Sequence, residues 1–358
     1  MDNAIIIGGG YSALIAQILL SNRASTQVIC PNQFHKTMEK QFISGMRRRS
    51  ALEINKLLGI KQFSYGTLGI QFKNAKLHDR LGLGGNSNVW GGFFDTHNVA
   101  PTLIETLQSR GIYYEKLSFA KTGSISNRHT IGQLQDQQGK TIDALKLIGR
   151  NTINEYVTTF QPLPEQGITV YGTSHHFQLS ASKVILAISP IQLLDLLYRS
   201  RHLQDGDVVT LTEFDHALSL SWRVDPYQFD TNDTIIRYRI SRAMAHALGI
   251  QKNISSNEPS KKWLLPYIDQ TFGKHKATLN LAVQDAQLIE IPGSNPIPRN
   301  FGSSIHYCDM HINGQSINDF LLKISPDLQG IGMAFVKQLA AGPISNDILI
   351  DAASKLNE

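Results

Sequence analysis

The chain is 358 residues long, 41% hydrophobic and 18% charged, with a formal net charge of +5. That length suits two closely joined domains, and the composition is that of a globular protein with ample material for a core. No Lys/Arg cluster is interleaved with aromatics, so nucleic-acid binding is not indicated, and two cysteines, Cys30 and Cys308, give neither a disulfide framework nor a metal-type spacing.

No basic-then-apolar leader is seen and no apolar run approaches ~18 residues, so neither a signal peptide nor a membrane span is expected. Cytoplasmic location is the expectation that follows. Ile5, Ile6 and Ile7 form a β-branched run bounded by glycine, which predicts a strand buried on both faces. Gly8, Gly10 and Ala13 then fall on the G-x-G-x-x-G/A spacing. The first glycine permits the tight turn, the second lets a pyrophosphate approach the backbone, and the small third residue lets helix and strand pack closely. The helix that follows aims its unpaired N–H groups and positive dipole end at phosphate. The segment reads as a dinucleotide-binding turn; the plainer alternative is a glycine-rich turn without a ligand.

The second strand is Thr26-Gln27-Val28-Ile29-Cys30, followed by Pro31 and Asn32. An Asp or Glu is expected at the end of this strand to hold a ribose hydroxyl. Cys30 stands there instead, and a thiol is a poor acceptor, which leaves Asn32 as the candidate ribose holder. Arg47, Arg48 and Arg49 admit a 2′-phosphate clamp, although a basic run on a helix is more simply a solvated face.

Residues 36–59 are expected to be helical, ending at Leu57-Leu58-Gly59, where glycine suits a C-cap. Residues 77–95 are expected to form a loop, with five glycines in the thirteen positions from Leu81 to Phe93. Stripping side chains from a loop allows close backbone contact with a flat or charged ligand. Asn86, Ser87 and Asn88 supply donors and acceptors for a heteroaromatic edge, and Trp90 is large enough to anchor the loop. Short strands are expected at Val157–Phe160, Ile168–Tyr171 and His176–Leu179, separated by turn-forming residues. A buried parallel strand over Ala181–Ala187 and a helix over Ile191–Tyr198 follow. Alternation at Leu218–Trp222 and Thr278–Val283 predicts an antiparallel sheet with one face covered, with a helical segment in 235–248 and a polar loop over 251–262 between them. The expected fold is α/β: a Rossmann-like parallel sheet with an inserted β-meander, formed by residues 1–215 and 295–358, plus a smaller α+β domain of 216–294.

The run Gly84-Gly85-Asn86-Ser87-Asn88-Val89-Trp90-Gly91-Gly92 resembles the G-G-x-S and W-G-G loop of the flavin-dependent glucose–methanol–choline (GMC) oxidoreductases. Further segments share the resemblance. Val157 corresponds to the meander residue whose backbone meets adenine in that family. Val184 to Ser189 approximates its V-I-L-A-A-G strand, with Ser189 in place of the glycine. Gly302-Ser303-Ser304-Ile305-His306-Tyr307 matches the stretch that carries its catalytic histidine. Asp327 corresponds to an Asp near the flavin pyrophosphate, and Asn346 to the partner of the histidine. Cys308-Asp309 replaces the family's Gly-Thr, the chain is much shorter than a typical member, and the acidic ribose holder is absent.

The resemblance implies FAD as cofactor, bound by residues 1–215 and 295–358, with 216–294 facing a small-molecule substrate. It also implies oxidation of a hydroxyl group on a small or biosynthetic-intermediate molecule. In that chemistry His306 takes the hydroxyl proton, Asn346 orients the same oxygen, and the hydride passes to flavin N5. Two other readings remain open: the residues after His306 suit a different flavin reaction such as desaturation or isomerisation, and Cys30 suits an inactive FAD-binding subunit. The expected partners are a small-molecule substrate and either a partner protein or a second copy of the chain. His306, Cys308 and His311 admit a metal site but lack a fourth ligand. Trp222 and Trp263 suit either a substrate pocket or the core.

Overall fold

A computed structural model describes residues 2–21, 23–31, 69–71, 93–96, 99–116, 131–139, 148, 152–163, 167–224, 264–295, 304–337 and 344–356. The chain opens with β1 (Asp2–Ile7), α1 (Tyr11–Leu20) and β2 (Ala24–Ile29). There follow β3 (Gly69–Gln71), β4 (Phe93–Asp95), α2 (Pro101–Ser109), β5 (Tyr113–Lys116) and β6 (Ile131–Gln135). The middle of the chain contributes β7 (Thr152–Ile153), β8 (Val157–Leu163), β9 (Gly167–Gly172), β10 (Gln178–Ala181), β11 (Lys183–Leu186) and α3 (Pro190–Arg199). Then come β12 (Val208–Val224), β13 (Leu264–Gln284), β14 (Gln287–Glu290), β15 (Ser304–Ile312) and β16 (Gln315–Ser316). The last elements are α4 (Ile317–Ile324), β17 (Leu328–Gly330), a 3-10 turn at Met333–Phe335 and α5 (Ile344–Leu356).

Five parallel strands, in the order β17-β11-β1-β2-β7, form the central sheet. Its centre is the isoleucine run: Ile5, Ile6 and Ile7 are 2%, 0% and 5% exposed. Because successive strand residues point to opposite faces, the run feeds two cores. Ile6, Val28 and Ile185 join α1 and α5 on one face, while Ile5, Ile7, Ile29, Val184 and Leu186 join the meander and α3 on the other. Burying each such side chain contributes roughly 1.5–3 kcal/mol. This two-faced burial is why the strand reads as a continuous apolar run rather than an alternating one.

The meander β10-β9-β8 is antiparallel and returns the chain to β11. The expected strands at 157–160 and 168–171 and the helix at 191–198 are present, and the parallel strand expected over 181–187 is present as Lys183–Leu186, Ala181 ending the antiparallel β10 instead. The expected strand at His176–Leu179 starts instead at Gln178, since His176 adopts a positive φ of 70° in the turn before it. The second large sheet has the order β16-β15-β12-β13-β14-β3. Its spine is the β12–β13 pair, antiparallel from Val208↔Ala282 to Val224↔Leu264 with a register shift between Phe214 and His216. The alternation at 218–222 and 278–283 belongs to these two strands. The boundary expected at 215/216 falls inside β12, and β15, expected in the nucleotide-binding half, pairs with β12.

The helix expected over 36–59, the helical segment in 235–248 and the loop over 251–262 lie outside the described residues, as does most of the glycine loop, whose end is the strand β4. No helix among the described residues is long and apolar enough to cross a membrane.

Candidate functional site

The carboxyl ends of β1, β2, β7, β11 and β17 lie along one edge of the central sheet, the edge at which open α/β sheets receive ligands. Gly8 begins the turn there. Its φ is +127°, and a Cβ at this position would lie 2.1 Å from the Ala187 carbonyl oxygen. Its N–H donates to Ile29 O at 2.9 Å, while the Ala187 N–H donates to Ile7 O at 2.8 Å. Gly8 is thus clamped between β2 and the end of β11, and a side chain has no room. Gly10 precedes the first turn of α1 with no side-chain cap, and that first turn carries no acidic residue. The helix start therefore presents its backbone N–H groups and positive dipole end without a side-chain cap. Ala13 is fully buried where α1 packs on the sheet.

The C-terminal segment closes over the same place. Ile331 N–H donates to Leu186 O at 3.0 Å, extending the β17–β11 ladder by one step. Gly332 follows with φ +122°, and a Cβ there would sit 2.8 Å from Ser12 Oγ in the first turn of α1. The 3-10 turn then leads to Val336, whose carbonyl accepts the Asp309 N–H at 2.9 Å. Lys355 of α5 secures this segment by donating to Gly330 O at 3.0 Å and to Asp351 at 2.8 Å, with its ammonium 5.4 Å from the Phe335 ring centre. Burial holds the Lys355 ammonium below its ordinary pKa and the Asp351 carboxyl above its own; each opposes the other's shift. Tyr11, the first residue of α1, donates to Ser345 O at 3.3 Å, and burial pushes its phenol pKa up.

At the far side of the edge, β2 and β7 run together: Ile29 pairs with Ile153, and Cys30 N–H donates to Ile153 O at 3.1 Å. Cys30, where an acid was expected, is 2% exposed in the apolar core, and burial pushes its thiol pKa up to about 12. It is a packing residue. Glu155, just past β7, is 5% exposed. Its Oε1 accepts the N–H groups of Tyr156 (3.0 Å), Thr173 (2.8 Å) and Ser174 (3.2 Å) and the Thr173 hydroxyl. Burial pushes the Glu155 pKa up, but the hydrogen bonds from Ser174, Thr173 and Tyr156 outweigh it and leave it below the usual glutamate value. Next to it, Tyr156 donates to Asp195 Oδ2 at 3.1 Å, and Arg199 Nε lies 3.0 Å from the same oxygen. This fixes the β7–β8 corner to α3.

The structure brings together Gly8, Gly10, Ala13 and the Ala187–Ser189 segment. Ser189 caps α3, its hydroxyl accepting Gln192 N–H at 3.3 Å. Val157 begins β8 opposite Gly172 and is buried, four residues beyond the Cys30–Ile153 contact. The backbone of His306 lies in β15, paired with Phe214. Asn32, Gly84, Gly85, Asn86, Ser87, Asn88, Trp90 and Gly91 lie outside the described residues.

One expectation is corrected. Asp327 lies at the opposite edge: its carbonyl accepts Val184 N–H at 2.9 Å and its own N–H donates to Ser325 Oγ at 3.2 Å, before β17 begins. A three-residue strand, about 10 Å at 3.3 Å per residue, separates it from the glycine turn. Gly332, after the strand, is the residue that reaches α1. Asn346, expected to orient a substrate oxygen, is buried in the first turn of α5 beside the Tyr11–Ser345 bond. Sequence reasoning passed over Gly332 and Glu155; the Gly330-Ile331-Gly332 spacing directly after a strand was the one local signal for the former. Cys308 Sγ contacts Thr212 O at 3.6 Å, and His311 Nδ1 lies 2.9 Å from Asp309 O. Among the described residues no group of three or more His, Cys, Asp or Glu is gathered as a metal site.

Fold and edge geometry define a Rossmann-like α/β protein with a second, largely antiparallel sheet whose edge strand β3 pairs in parallel with β14. No protein-family model matches the chain, and no curated protein matches it. Among solved structures it is similar to pyridoxine 4-oxidase from Mesorbium loti, at 12% identity and a TM-score of 0.49, over 100% of this chain and 99% of that one. It is also similar to NikD, an unusual amino acid oxidase essential for nikkomycin biosynthesis, at 13% identity and a TM-score of 0.31, over 99% and 94% of the two chains. A third similarity is to 2,6-dihydroxypyridine-3-hydroxylase from Arthrobacter nicotinovorans, at 11% identity and a TM-score of 0.28, over 61% of this chain and 44% of the hydroxylase.

Proposed function

We propose that the chain is an FAD-dependent oxidoreductase of the GMC kind that oxidises a hydroxyl group of a small molecule. The observation that carries this reading is one line of contacts. Gly332 presses on Ser12 at the start of α1, and four residues later Val336 holds Asp309 in the strand that carries His306. The nucleotide turn and the histidine strand are thereby fastened to the same segment.

The residues at the edge fit an adenine dinucleotide. Side chains are excluded at Gly8 and Gly332, and the uncapped N–H groups of α1 suit a pyrophosphate. Val157 begins the meander where adenine would lie. The Gly84–Gly91 loop, with Asn86, Ser87, Asn88 and Trp90, supplies polar groups and close backbone for the flavin ring. When bound, the flavin supplies the hydride acceptor. In this reading His306 takes the hydroxyl proton as the substrate carbon is oxidised. Its strand is fixed on both sides, by β12 and by the Asp309–Val336 bond.

The test is mass spectrometry of the small molecule released on denaturation, followed by anaerobic mixing of the flavin-loaded protein with a panel of alcohols. FAD is expected in the first step and bleaching by at least one alcohol in the second. His306→Ala should bind FAD normally and bleach about 10²–10⁴-fold more slowly. Failure of the protein to bind FAD, or bleaching of the variant at the wild-type rate, contradicts the reading.

A further inference from the structure

We propose that Glu155 holds the adenosine ribose of the bound dinucleotide, replacing the acid that β2 lacks. This rests on the dinucleotide reading above.

In Rossmann units a carboxylate at the end of the second strand accepts the ribose hydroxyls. Here that position is Cys30, turned into the core with 2% of its surface exposed. A protonated thiol among apolar side chains offers the ribose nothing. The neighbouring strand offers a carboxylate instead. β7 pairs with β2 through Ile29↔Ile153, and the two strands lie about 4.8 Å apart. Glu155 is two residues beyond Ile153, at the same carboxyl edge, and two residues before Val157.

The way Glu155 is held points the same way. Its Oε1 accepts the Tyr156, Thr173 and Ser174 amides and the Thr173 hydroxyl, and the Ser174 side chain also hydrogen-bonds the carboxylate. These bonds fasten the carboxylate to the turn after β9, at the carboxyl edge of the sheet where a dinucleotide binds. The Oε1 bonds also keep the group ionised, as an acceptor for hydroxyl donors must be to bind strongly. A carboxylate already fixed in place loses little freedom on binding a diol.

The experiment is isothermal calorimetry on the cofactor-free protein with ADP, 2′-deoxy-ADP and 3′-deoxy-ADP, alongside fluorescence titration with FAD. The wild type should prefer ADP over at least one deoxy analogue by about tenfold or more. Glu155→Gln keeps an oxygen for the Thr173 and Ser174 amides, and should bind ADP and the deoxy analogues alike while losing about tenfold in FAD affinity. Glu155→Asp withdraws the carboxylate by one carbon and should show the same loss of preference. Thr173→Val removes a donor to Oε1 only and should retain the preference; a purely structural Glu155 would not separate these variants by ligand. Wild-type protein that binds ADP and its deoxy analogues equally overturns the proposal, as does a preference that survives in Glu155→Gln or Glu155→Asp. Wild-type protein that binds neither FAD nor ADP overturns the dinucleotide reading itself, and this proposal with it.

Discussion

At its amino edge the parallel sheet is closed by its own polar groups. Asn3 Nδ2 donates to Ser180 O at 3.2 Å, Ser182 N–H donates to Asn3 Oδ1 at 2.9 Å, and the Ser182 hydroxyl donates to Asn3 O at 2.9 Å. Val184 N–H is taken by Asp327 O. At the carboxyl edge, by contrast, α1 starts without a side-chain cap, two glycines hold backbone against neighbouring groups, and the Glu155 carboxylate is fixed beside the end of β2. The same strands supply both edges. One is stitched shut by short polar side chains; the other is kept bare and donor-rich, as a site for an anionic ligand needs.

That contrast can be broken most forcefully at Gly8. Gly8→Ala places a Cβ 2.1 Å from a backbone oxygen at a φ of +127°, where nothing flexible can yield. We expect a loss of more than about 4 kcal/mol in urea unfolding, or no folded protein at all. Next in size is Cys30→Asp, which restores the usual acid but buries it in an apolar core; a cost of about 3 kcal/mol or more and no gain in nucleotide affinity are expected by calorimetry. A gain in affinity would mean that the side chain at position 30 reaches the ligand.

Lys355→Met should cost about 1–3 kcal/mol, because Asp351 and Gly330 O lose their shared donor. It should also weaken FAD binding by loosening the Gly330–Phe335 segment, which a thermal-shift series with and without FAD can measure. Glu155 has a distinct pH signature. Its pKa is lowered in the folded state, so its contribution is complete above the ordinary glutamate value and lost as pH falls through the lower, folded one. Glu155→Gln should therefore lower stability at neutral pH and flatten the acid limb, its curve meeting that of the wild type where Glu155 is protonated. Smallest of all, Ser182→Ala at the closed edge should cost about 0.5–1.5 kcal/mol in unfolding and leave FAD affinity unaltered.

The legible parts of this fold were those written in local pattern. Ile5–Ile7 followed by Gly8 and Gly10 announced a buried strand and turn, and Val184–Leu186 announced its parallel neighbour, because burial on both faces leaves an unbroken apolar run. Parts decided by distant chain were not legible. The 17 residues of β12 run through a position where alternation had only begun to show, so the domain boundary was set inside a strand. Asp327 was placed at the wrong edge because the sequence Ser-Pro-Asp does not say on which side of it the strand lies. Gly332 and Glu155 escaped notice for a related reason: their meaning comes from Ser12 and from Thr173–Ser174, which only the folded chain brings near.

Hydrogen–deuterium exchange of the cofactor-free protein, with and without FAD, tests the contrast between the two edges most directly. Exchange should slow on FAD addition at the amides of residues 8–13, 154–157, 187–189 and 330–333, and stay unchanged at 2–4, 180–184 and 325–328. FAD binding that leaves the first set untouched, or that protects the second set instead, would contradict it.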